Sequence, residues 1–301
     1  MRCRPLTVLS IPMVLVFIAC ADKDPVSSYD LAPAARTLSG APVAASCDVP
    51  GCRPGFGNIT RAAPPSDQTI PHLDVLPTID GNLSDWTRMF SQAQLQQRDF
   101  VSTVGDITGD VPKDDQRVEA WLGWNEETNM IYVAGRVFDN ARGFNSAPDD
   151  AFTIFRNDDM EVYIDGDNSG GLYSVDDGHA QEYVMSTSFP RAVLLIAETD
   201  GSGGVGVSSA ARSRDVAGGV EYTYEISFPA WNNYSFETGP GERQVLQAGD
   251  VIGFGVVFAD YDSQDAADAS AYHAFNALNG MVNGFFDADA MPDFELGAPK
   301  E

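Results

Sequence analysis

The stretch Arg117-Val118-Glu119-Ala120-Trp121-Leu122-Gly123-Trp124, then Asn125-Glu126-Glu127-Thr128-Asn129, then Met130-Ile131-Tyr132-Val133-Ala134-Gly135-Arg136-Val137-Phe138 decides the fold class. The first flank alternates. Its β-branched and aromatic residues, and those of the return flank, suit a pleated surface. The polar centre is a turn between them. A strand, a turn and a returning strand make an antiparallel hairpin.

Working outward, the same texture repeats. Residues 160–164, 181–187, 192–198 and 219–228 read as strands, and 251–258 is an apolar, glycine-containing run suited to a buried strand. Glycine, aspartate and asparagine turns separate them. Many short strands with such turns predict an all-β protein, a two-sheet antiparallel sandwich of immunoglobulin-like or jelly-roll-like form. One helix is expected over 83–95, with Ser84 as its N-cap. No internal repeat is visible. Trp86, Trp121, Trp124 and Trp231 read as packing residues.

The N-terminus has a different character. Arg2 and Arg4 precede an apolar run that ends in Phe17-Ile18-Ala19-Cys20. A basic start, a short apolar core and a small residue before the cut describe a secretory signal. The run is shorter than the ~20 residues a spanning helix needs. The end of the run resembles a bacterial lipobox, which implies cleavage before Cys20, acylation of that cysteine and attachment to a lipid bilayer at the cell envelope. Residues 20–68, rich in Ala, Pro, Ser and Gly, read as a disordered tether, and 69–301 as the folded domain. Of four cysteines, Cys47 and Cys52 remain in the loop CDVPGC, where an oxidising compartment favours a disulfide over a metal site.

Charge narrows the partners. The 301 residues carry 44 acidic against 18 basic side chains, a formal charge of −26. Nucleic acid and anionic membrane surfaces would repel such a chain. Divalent cations would not.

Five pieces in order carry a resemblance. They are Ile79-Asp80-Gly81-Asn82-Leu83-Ser84-Asp85-Trp86; Gly123-Trp124-Asn125 with Met130-Ile131-Tyr132-Val133 and Val137-Phe138-Asp139; Asn157-Asp158-Asp159-Met160-Glu161-Val162-Tyr163-Ile164-Asp165; Tyr224-Glu225-Ile226-Ser227-Phe228-Pro229; and Gly249-Asp250-Val251-Ile252-Gly253-Phe254 leading to Asp260-Tyr261-Asp262. Together they resemble the family 9 carbohydrate-binding module. The resemblance implies a β-sandwich holding a sugar between two aromatic rings, with polar groups around its hydroxyls. Phe155 and Phe275 stand where the family has tryptophan. Asp159 and Glu161 become sugar or framework contacts, and Asp139, Asn140 and Arg142 polar rim contacts. The expected partner is an oligo- or polysaccharide, captured for degradation by other enzymes. A haem-binding or redox-associated envelope domain is the alternative, with His179, His273 and Met185 as the available ligands. A structural envelope protein is a further one.

Asp165-Gly166-Asp167-Asn168-Ser169-Gly170 through Asp176 has the oxygen-ligand spacing of a calcium loop. Asp165, Asp167, Ser169, Asp176 and Asp177 are the candidate calcium ligands. An ordinary Asp/Gly turn has the same composition. Asp260, Asp262, Asp265 and Asp268 offer a second acidic loop. No nucleophile motif, phosphate-binding glycine motif or opposed carboxylate pair points to catalysis, so a non-enzyme is expected.

Overall fold

The computed structural model describes residues 68–143, 151–173, 178–189, 191–194, 204–235, 238–262, 272–281 and 284–300. Cys20, Cys47, Cys52, Asp176, Asp177, Asp265 and Asp268 lie outside them, as do the signal and the tether.

Two sheets face one another. The smaller has the order β2 (Leu95–Gln96), β4 (Gln116–Asn125), β5 (Met130–Asp139), β10 (Gly219–Phe228) and β9 (Ser208–Val216), all antiparallel. The larger runs β1 (Thr69–Ile70), β15 (Asp293–Leu296), β13 (Val251–Asp260), β6 (Asp159–Asp165), β7 (Ala180–Ser186) and β8 (Val193–Leu194). In addition β14 (Ala274–Leu278) pairs with β13, and β3 (Phe100–Ser102) pairs with β14. Only β1–β15 among these pairs is parallel. A separate ladder joins β11 (Tyr234–Ser235) to β12 (Gly239–Pro240).

The opening hairpin forms as the alternation predicts, with Val118 opposite Val137 and Trp124 opposite Ile131. Period two then sorts the side chains. Val118, Ala120, Leu122, Val133, Tyr222, Tyr224 and Ile226 of the small sheet face inward, against Met160, Val162, Ile164, Phe254, Val256 and Phe258 of the large one. Each such buried side chain contributes about 1.5–3 kcal/mol relative to exposure. Gly135 is fixed by this core: a Cβ there would come within 2.7 Å of Met160 Sδ and 2.8 Å of the Phe258 ring.

The outward faces are covered differently. On the small sheet, Leu73, Leu83, Trp86 and Ala93 pack on Trp121, Tyr132 and Ala134. The helix there, α1 (Ser84–Met89), is shorter than expected. It stops because Phe90 takes an extended backbone, after which Leu95 joins β4 as a strand residue opposite Ala120. Ser84 is the first helical residue rather than the cap, and no side chain caps that end. Glu225 anchors the segment instead. Its carboxylate accepts from the Asp80 amide (2.9 Å), the Gly81 amide (2.5 Å) and Trp86 Nε1 (2.8 Å). Trp86, Trp121 and Trp124 are buried, in keeping with packing roles, and Trp231 is half-buried.

Candidate functional site

The outward face of β6 presents Asp159, Glu161 and Tyr163, because residues two apart share a face. The register sets Tyr163 opposite Glu182 of β7, and Asp159 opposite Ala259 of β13. Three carboxylates thus gather on one patch, at 1% exposure for Asp159, 2% for Glu161 and 4% for Glu182. The Tyr163 hydroxyl donates to Glu161 and lies 3.3 Å from Glu182. No described cation pairs with the Asp159 carboxylate, and apart from the Ala259 amide nothing described donates to it. Burial pushes the Glu161 carboxyl up to about 7, against the opposing pull of the Tyr163 hydrogen bond. Asp159 and Glu182 are driven well above the carboxylate range, by burial first and by the Glu161 charge second.

Aromatic side chains surround this patch. A short 3-10 helix, Ala151–Arg156, packs against β6 and β7 and carries Phe155, half-buried, with the Arg156 guanidinium 5.6 Å from its ring centre. Phe275 of β14 belongs to the same face but is 8% exposed and lies edge-on to Tyr272, 5.0 Å between ring centres. Phe285, which sequence reasoning passed over, packs half-exposed against that cluster, edge-on to Phe286. The neighbouring Gly284 carbonyl is held by the Tyr173 hydroxyl. Of the expected ligand contacts, the fold therefore brings Phe155, Phe275, Asp159 and Glu161 to one face.

Asp139 and Arg142 are engaged by other parts of the protein. Asp139 is buried at the end of β5. Arg142 is drawn to β9, 2.8 Å from Asp215 and 3.2 Å from the Ser213 hydroxyl, with Tyr222 beneath it. Charge pairing decides that position.

Asp139 instead meets Asp260 and Asp262, one oxygen from each lying within 4.8 Å of the others. Asp260 is 1% exposed, and neither of its oxygens has a hydrogen-bond partner among the described residues. Asp139 Oδ1 accepts from the Ala141 amide, while Oδ2 is unpartnered. Burial, reinforced by the neighbouring carboxylates, raises Asp139 to about 9 and Asp260 to about 10. Adjoining them, His273 Nε2 stands 3.3 Å from both Asp115 and Asp262. Asp158, also buried, is fully engaged: it accepts from the Gly143 and Tyr261 amides and the Tyr222 hydroxyl, and so serves the framework.

The Asp165 turn is partly self-satisfied: Asp165 is buried, and its Oδ1 has no hydrogen-bond partner among the described residues. Asp165 Oδ2 accepts from the Gly170 amide and Asp167 Oδ1 from Ser169, with Asp167 and Ser169 exposed. Asp139, Asp260 and Asp262 form an all-oxygen set, two buried and one exposed, of the hard donor type that a calcium ion takes. Met185 lies in the core.

The model for "Carbohydrate family 9 binding domain-like" matches residues 79–296. Among solved structures, a family 9 carbohydrate-binding module of Caldicellulosiruptor kristjanssonii in complex with glucose shares 15% identity, with a TM-score of 0.50 over 78% of this chain and 98% of that one. A Bacteroides uniformis protein named as a candidate carbohydrate-binding protein shares 10% identity, with a TM-score of 0.44 over 76% of this chain and 97% of that one. No curated protein matches the sequence. The matched family is one of carbohydrate-binding domains. The domain is accordingly a non-catalytic module with a sugar-binding role.

Proposed function

Because the chain belongs to the carbohydrate family 9 binding domain-like family, we propose that its sugar ligand meets the outward face of the large sheet. The observation that carries this reading is the Asp159–Glu161–Glu182 group with Phe155 at its side. Carboxylates accept hydrogen bonds from sugar hydroxyls, and aromatic rings take the apolar C–H faces of a pyranose. Phe155, Phe275, Asp159 and Glu161 are the proposed contacts, joined by Glu182 and Phe285.

Calcium belongs to the proposal as a structural ion. Asp139, Asp260 and Asp262 would hold it, and its charge would compensate the clustered carboxylates, of which Asp139 Oδ2 and both Asp260 oxygens lack a hydrogen-bond partner among the described residues. The Asp165 turn, with Asp167, Ser169 and the undescribed Asp176 and Asp177, is the lesser candidate.

The N-terminal reading completes the proposal. Cleavage before Cys20 and its acylation would hang the 69–301 domain from a 20–68 tether, stapled by a Cys47–Cys52 disulfide, at a bacterial cell envelope. There it would capture oligo- or polysaccharide for enzymes elsewhere. No described helix is long and apolar enough to cross a membrane.

Calorimetric titration of the full chain with glucose and with neutral oligosaccharides tests the face. Binding weakened about tenfold by Phe155→Ala and by Glu161→Gln is the expected result, the loss of one good contact. A blank response from folded protein, or two variants that bind like the parent, overturns the assignment.

A further inference from the structure

The outward face of the small sheet carries an arginine-rich surface. Only half of the small sheet's outward face lies under the 73–95 segment. The other half is open, and cross-strand register builds it in two rows. One row reads Arg117, Phe138, Glu221, Arg214, and the next Glu119, Arg136, Thr223, Arg212, each crossing β4, β5, β10 and β9. Four adjacent strands span about 14 Å from first to last at the usual inter-strand spacing.

The charge of this surface is reversed relative to the chain. Across the whole sequence 44 acids face 18 bases. Here Lys113, Arg117, Arg136, Arg212 and Arg214 meet three carboxylates, Glu119, Glu221 and Asp80. Two arginines are neutralised locally: Arg136 lies 2.7 Å from Glu119 and Arg214 2.7 Å from Glu221. The others are not. Arg212 reaches Asp80 only at 3.9 Å, and Arg117 donates to the Lys113 carbonyl and rests 3.8 Å above the Phe138 ring. Two contiguous grooves, of about 460 and 340 Å³, run along the surface and share Arg136 and Glu221.

We propose that this open half of the small sheet binds an anionic glycan, one bearing carboxylate or sulfate groups on its sugars. Guanidinium forks match such anions in bidentate geometry. Thr223, Glu119 and Glu221 supply the polar groups that hydroxyls need, and the Phe138 ring supplies an apolar step. The −26 charge of the whole chain repels any polyanion, so contacts to sugar hydroxyls are what favour a glycan over a phosphate polymer. The site is separate from the large-sheet face, so either can stand without the other.

The test is binding of the full chain to polygalacturonate, dextran sulfate and neutral dextran, with a DNA duplex as control. Binding to at least one acidic glycan but not to dextran is expected. It should weaken about tenfold in R212Q/R214Q, where the charge-assisted contact of Arg212 and the positive charge beside it are lost, and return in part in R212K/R214K, which keeps the charges without the forks. The preferred polymer tells carboxylate from sulfate. Unchanged melting temperature in the variants separates lost binding from lost fold, since Arg212 and Arg214 are solvent-facing. No binding to either acidic glycan, undiminished binding by R212Q/R214Q, equal binding to dextran, or equal binding to DNA each overturns the proposal.

Discussion

The two outward faces of the sandwich obey one alternation rule and reach opposite results. On the large sheet, Asp159, Glu161 and Glu182 are pressed against tyrosines and held in low dielectric. On the small sheet, Arg117, Arg136, Arg212 and Arg214 stay in water. Burial raises the free energy of a charge far more than exposure does. The acidic face therefore stores unsatisfied polarity that a ligand can relieve, while the basic face attracts at a distance and gives little stability.

The comparison breaks hardest at Glu225, which pins the cover over half of the small sheet. Glu225→Ala would strand the Asp80 and Gly81 amides and the Trp86 indole N–H, at a cost of about 3–5 kcal/mol. Urea denaturation measures it. If sugar binding survives in the folded fraction, the two faces are independent. Next comes the core they share. Gly135→Ala drives a methyl into Met160 and Phe258, and about 1–3 kcal/mol of stability is lost through overpacking. A midpoint shift below the noise would mean that the core yields more readily than its packing suggests.

Acidity separates the faces more finely. Glu161 has its folded-state carboxyl raised from 4.5 to about 7, so the folded protein binds the extra proton. The stability this gives is fully present below about pH 4.5, where the unfolded chain is also protonated, and is lost as pH rises toward 7. Unfolding free energies measured in chelator should fall across that window, and less steeply in Glu161→Gln, by about 1–3 kcal/mol over the range. A steeper fall in the variant would contradict burial as the cause. Smallest of all, Arg136→Gln should change stability by less than about 0.5 kcal/mol, since its Glu119 pair is half in solvent.

How much of this was legible in the sequence depended on whether one strand sufficed. The hairpin of Trp121 and Tyr132, and the strand from Gly219 to Phe228, announce themselves by alternation. Ser208–Val216 does not: it is an edge strand, half-buried at most on either side, so neither face selects apolar residues. The sequence of residues 83–95 suggests a longer helix than Ser84–Met89 because Phe90 and Leu95 fit a helical stripe as well as a turn into a strand. At the candidate site, Asp159 and Glu161 were readable as neighbours two apart. Glu182 was not, because only register brings it opposite Tyr163. The arginine rows were hidden for the same reason, being assembled from four strands. Phe285 lies in a short stretch without a period, and nothing local marks it.

The parallel pairing of Thr69 with Glu295 and Ile70 with Leu296 sets where force would travel. The described residues begin and finish along a single margin of the large sheet, held there by two residues of ladder, the Gly297 amide on the Ile70 carbonyl, and the Trp124 indole on the Gly297 carbonyl. Load applied through the preceding chain would meet this short zipper before any long strand. That margin would open first, with the long strands behind it still paired.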